Sequence, residues 1–139
     1  MLKVKNIMIS PIRAARSEFE DETLDFILCS SGEIPGVRES ENILFLQFLD
    51  TEMEDHPFCF REKHAERILA FLSREKANGD LFVCCDSGES RSPAIAAAIL
   101  RAAGQSDTYI WESAEYHPNC LVYRRLCKAF DVDSVRKTE

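Results

Sequence analysis

Apolar residues in this chain gather in short blocks that change period from one to the next. Residues 4–9, 24–29 (LDFILC), 42–48 (NILFLQF) and 81–83 (LFV) are compact, β-prone runs bounded by polar or turn residues, which predicts four buried strands. Gly79 and Asp80 read as the turn leading into the fourth. Ser10, Pro11 and residues 12–16 read as a short capped helix, and SSGEIPG at 30–36 as a loop. Over 63–76 the spacing of Ala65, Ile68, Leu69 and Leu72 sets one apolar face against a charged one, so an amphipathic helix is expected, ending near Gly79. Residues 94–98 are excellent helix formers, Pro93 falls in a first turn where its missing N–H costs nothing, and Gly104 closes that helix. Residues 105–116 show no period and read as a connector. Pro118 is expected to open a last helix with Leu121, Val122, Leu126 and Phe130 inward, and 131–139 to fray.

Strands alternating with helices predict an α/β fold: one domain over 1–139, with a mostly parallel central sheet of about four to five strands flanked by helices on both faces. No repeat, low-complexity tract or linker interrupts it. Hydrophobic residues at 45% suit an ordinary globular core, and a net charge of −7 argues against nucleic acid or anionic membrane as partner. No apolar run approaches the ~18 residues of a membrane span, and no charged start precedes an export-type apolar segment. Six cysteines without paired spacing fit a reducing compartment, so a cytoplasmic location is expected. His56, Cys59 and His64 lack the spacing of a common zinc site, and neither metal nor cofactor is expected. Tyr123, Arg124, Arg125 and Lys128 read as a solvated stripe. Trp111, Tyr109 and Tyr116 read as packing residues before they read as pocket walls.

The chemistry concentrates in LFVCCDSGESRSPAIAAAIL at 81–100. Cys85 stands where the fourth strand ends and Arg91 six positions on, where a helix begins. The backbone N–H groups of 86–92 are then free to converge on an anion at the positive end of the helix dipole. A thiol beside such a helix mouth and an arginine is expected to ionise readily, which makes Cys85 the candidate nucleophile. Arg91 offers two parallel donors to two phosphate oxygens, a fork that lysine lacks. Gly88 permits a tight turn and close approach to a ligand. Ser90 and Ser92 are expected to bring hydroxyls near the sulfur, with Ser92 stabilising the thiolate as it leaves. A cysteine six positions before an arginine is weak alone; Gly88, Ser92, the strand before and the helix after make the pattern specific.

CDSGESRS resembles the Cys-x5-Arg-Ser loop of the cysteine-based protein tyrosine phosphatase superfamily, and in size the chain is similar to its compact dual-specificity branch. The resemblance covers about 42–130; the first forty residues fit in pattern only. It implies a phosphocysteine intermediate on Cys85, hydrolysis by water and no metal, with the loop residues Asp86, Ser87, Gly88, Glu89, Ser90 and Arg91 around the phosphate. The family usually has His before the catalytic Cys, and here Cys84 stands there. Cys84 reads as a small buried strand residue, or as a partner that could shelter Cys85 from over-oxidation. The chemistry also needs a general acid. Asp50, at the end of a strand and one helix before the loop, occupies the matching place, with Glu52, Glu54 and Asp55 as competitors. HPNCLVYRRL resembles the start of the C-terminal helix in the same branch, which gives Asn119 either a bracing role at the loop or an ordinary helix cap.

The expected activity is a phosphomonoester hydrolase acting on a phosphorylated protein, at tyrosine or with dual specificity, or on a small phosphomonoester. Acidic Asp86 and Glu89, with no basic loop residue, disfavour polyphosphorylated lipids. The alternatives are a phosphate-binding module without turnover, and thiol redox chemistry such as arsenate reduction using Cys84 beside Cys85.

Overall fold

A computed structural model describes residue 2 and residues 4–134. Its centre is a four-stranded sheet, parallel throughout, in the order β1-β4-β2-β3, where β1 is Asn6–Pro11, β2 Asp25–Ser30, β3 Ile43–Gln47 and β4 Asp80–Cys85. The two inner strands are apolar in runs because each has a covered face on both sides, and every residue of β2 is buried. Side chains alternate between two cores. Ile27, Cys29, Leu46, Val83 and Cys85 face the larger core beneath helices α2 (Glu62–Leu72), α3 (Arg91–Ala102) and α5 (Cys120–Ala129). Phe26, Leu28, Ile43 and Cys84 face a smaller one with Ile12, Ala15 and Ile34. That second face is covered by α1 (Ile12–Ala15), a 3-10 turn at Arg16–Glu18, and loop residues. The α/β architecture with a parallel sheet and helices on both faces is therefore as expected.

Several boundaries differ for identifiable reasons. β1 begins two residues later than expected and runs into Pro11, which an edge strand tolerates because it has no partner on one side. The predicted cap on α1 is absent: the Ser10 hydroxyl donates to the Pro11 carbonyl and contacts the Cys84 sulfur instead. Asp80 belongs to β4, and Gly79 alone turns, at a φ of 92°. α2 stops at Leu72 and buries Phe71, while Leu69 and Leu72 are only partly covered. The connector holds a short helix, α4 (Thr108–Glu112). α5 opens after Asn119, its N-cap, so Pro118 lies outside it, and Phe130 is half-buried at its end. Tyr123 is buried, contrary to its reading as part of a solvated stripe, because its hydroxyl donates to buried Asp107 at 3.1 Å. Of the expected tail, 135–139 lie outside the described residues.

The start of β2 is anchored by a buried carboxylate. Asp25 accepts from the Asn78 backbone N–H and side chain, both at 2.9 Å, and pairs with Arg74. This ties the segment after α2 to β2, beside which β4 then enters. Among the described residues, no helix is long and apolar enough to cross a membrane.

Candidate active site

β4 delivers Cys85 to the carboxyl end of the sheet, and residues 86–90 turn the chain into α3. The turn needs Gly88: its φ is 75°, and a Cβ there would meet Pro11 N at 2.7 Å and both Pro11 Cδ and Ser10 C at 2.9 Å. Space for a ligand is thus not the first reason for this glycine; it lets the loop lie on the end of β1. From that position the Gly88 N–H donates to Cys85 Sγ at 3.2 Å, and Ser92 Oγ stands 3.1 Å from the same sulfur. Ser92, in the first turn of α3, is fully buried with Cys85. Ser90 was expected near the sulfur too, but its hydroxyl turns outward to Asp50 at 2.8 Å.

Arg91 opens α3 and reaches across the ends of the neighbouring strands. Nη1 donates to the Phe48 carbonyl at 2.8 Å and to Ser31 Oγ at 3.1 Å, while Nη2 donates to Asp86 at 3.0 Å. Nε has no partner although the side chain is only 6% exposed. A buried guanidinium N–H without an acceptor is costly. Asp86 also accepts from the Ser30 hydroxyl at 2.8 Å and the Ser31 N–H at 3.3 Å. Partial burial pushes its carboxyl up, and the hydrogen bonds from Ser30, Ser31 and Arg91 outweigh it, holding the group below the usual carboxylate range.

Asp50 lies three residues beyond β3 and meets the loop through Oδ1, which accepts from Ser90 Oγ and Asn119 Nδ2, each at 2.8 Å. Its competitors are engaged elsewhere or point away: Glu52 accepts from the Cys120 N–H at 2.6 Å, Glu54 pairs with Arg124, and Asp55 is exposed. Asn119 combines the two roles weighed for it. Its Oδ1 caps α5 through the Val122 N–H, its Nδ2 holds Asp50 and the Thr51 carbonyl, and its backbone N–H donates to Ser90 O at 3.1 Å. One residue pair earlier, the His117 N–H donates to Glu89 O at 2.7 Å, so the approach to α5 clamps the loop from outside. Ser87 caps the turn locally, accepting from the Glu89 N–H at 3.1 Å.

Strand alternation turns Cys84 to the opposite face from Cys85, where its sulfur sits 3.4 Å from Ser10 Oγ. Burial pushes its thiol up to about 11. Cys29 and Cys85 are register partners on β2 and β4, and burial, followed by the Cys85 charge, pushes the Cys29 thiol well up. A groove of about 700 Å³ opens beside the loop between Asp50, Ser90, Trp111, Tyr116, His117 and Asn119. Trp111 both lines it and packs edge-on against Tyr123 at 4.9 Å, whereas Tyr109 is exposed. His56 accepts from the Phe58 N–H, Cys59 contacts Glu54 O and Arg125, and His64 accepts from the Arg61 N–H at the start of α2.

Ser30, Ser31, the Phe48 carbonyl and Cys29 were not singled out from sequence, and the only signal available was their position at strand carboxyl ends, where parallel sheets bind ligands. No protein-family model matches the chain, and no curated protein matches it in sequence.

Proposed function

We propose that the protein is a cysteine-dependent phosphomonoester hydrolase. The observation that carries the reading is the buried, unpartnered Arg91 Nε in the same loop as a cysteine sulfur contacted by the Gly88 N–H and Ser92 Oγ. The positive end of the α3 dipole favours an anion there. In the first step the Cys85 thiolate attacks phosphorus, the S–P bond forms as the P–O ester bond breaks, and Asp50 gives its proton to the departing oxygen. In the second, water attacks the phosphocysteine and loses a proton to Asp50, the S–P bond breaks, and Ser92 hydrogen-bonds the sulfur as it regains its electron pair. Inorganic phosphate leaves, and no redox change occurs. Protein phosphotyrosine, phosphoserine or phosphothreonine, and small phosphomonoesters are the substrates this chemistry admits.

The test is hydrolysis of para-nitrophenyl phosphate by wild type and Cys85→Ser, with EDTA present and vanadate as competitor. Vanadate-sensitive turnover in wild type that is lost in the variant is expected. A wild type that binds vanadate without turning over would favour a phosphate-binding module.

A further inference from the structure

Asp86 poses a question of sign. A carboxylate inside a phosphate loop repels the phosphate, so its presence there needs an offsetting interaction. The geometry supplies one. Asp86 Oδ2 accepts from Arg91 Nη2 at 3.0 Å, while its own position is set by the Ser30 hydroxyl at 2.8 Å and the Ser31 N–H at 3.3 Å, both at the end of β2. The other amino group of Arg91 is fixed by Phe48 O and Ser31 Oγ. With Nη1 held beside the ends of β2 and β3 and Nη2 held by the loop carboxylate, the guanidinium is fixed from two sides, and the nitrogen left without an acceptor is the buried Nε. The carboxylate is 49% exposed, while the arginine side chain it holds is 6% exposed.

We infer that Asp86 is a positioning residue that sets the Arg91 fork for an incoming phosphate, and that this outweighs its repulsion of the anion. The inference rests on the phosphate reading of the loop and adds to it a role for a side chain that would otherwise be a variable loop position. Charge-assisted hydrogen bonds are the stronger kind, and a bidentate arginine depends on its angle as much as on its charge.

The two effects predict opposite signs for Asp86→Asn. If positioning dominates, inorganic phosphate binds about tenfold more weakly, KM for para-nitrophenyl phosphate rises and kcat falls, although a negative charge has been removed beside an anion. Phosphate affinity is read by calorimetry, which needs no turnover, and by product inhibition. Ser30→Ala removes one support of the same carboxylate without touching its charge and is expected to shift phosphate affinity in the same direction by a smaller factor; it stands in should Asp86→Asn lose its fold. Tighter or unchanged phosphate binding in folded Asp86→Asn, or unchanged binding in Ser30→Ala, would overturn the positioning role alone. A wild type that binds no phosphate would overturn it together with the reading on which it rests.

Discussion

Replacing Gly88 with alanine perturbs the fold and the site through one atom. Two costs can be worked from its surroundings. At a φ of 75° a residue with a Cβ pays about 1–2 kcal/mol for the left-handed conformation. The added Cβ would also lie 2.7–2.9 Å from Pro11 N, Pro11 Cδ and Ser10 C, which are backbone or ring atoms of a strand end and cannot rotate away. Relieving that overlap by moving the loop costs about 1–3 kcal/mol more, on the scale of overpacked cores. The sum, about 2–5 kcal/mol, is a large share of the roughly 5–15 kcal/mol that holds a typical domain together. Gly36→Ala is the control, because its φ is 77° but nothing lies within 4 Å of its Cβ position, so it should pay the conformational cost only. Urea unfolding of both variants, followed by circular dichroism and compared at equal slope, isolates the overlap as the difference between them. Moving the loop off β1 should also disturb the Gly88 N–H contact to Cys85 and weaken vanadate binding. Equal stabilities for the two variants, with unaltered vanadate binding by Gly88→Ala, would refute the reasoning.

Other outcomes follow from single contacts. Asp50→Asn should slow turnover of phenyl phosphate about 100-fold or more and that of para-nitrophenyl phosphate much less, since only the poor leaving group needs a proton; equal slowing would remove Asp50 from the acid role. Burial, then the Lys63 charge, hold His64 down to about 4, where neutral Nδ1 accepts from the Arg61 N–H at 2.8 Å. Its folded value lies below the ordinary 6.5, so its contribution to stability is fully present above pH 6.5 and is lost as pH falls toward 4. Denaturation midpoints measured between pH 5 and 7 should slope less in His64→Gln than in wild type, and identical slopes would contradict this. Asp25→Ala leaves Arg74 without its buried partner and should cost about 3–5 kcal/mol in urea unfolding, against under 1 for an exposed pair such as Arg124–Glu54.

The strands were legible because β2 and β4 are covered on both faces, which writes them as unbroken apolar runs, and Cys85 with Arg91 because their relation is local in sequence. Contacts made through space were not. Strand order β1-β4-β2-β3 sets Ser30 beside Asp86 and Cys29 beside Cys85, and no local pattern carries that order. Tyr123 was misread because the period of α5 shows which face it lies on but not that Asp107, on the approach to α4, supplies an acceptor. Asn119 was read as brace or cap with the two held as alternatives; an amide has both a donor and an acceptor end, and here each end takes one role.

A phosphocysteine is a covalent intermediate, so the deciding experiment looks for the S–P bond. Wild type is mixed with a phosphomonoester, quenched in acid during turnover, digested and read by peptide mass spectrometry. Phosphate carried on Cys85, and absent from Cys85→Ser, is the predicted result; steady turnover with no phosphate on Cys85, or with phosphate on another residue, would contradict the account.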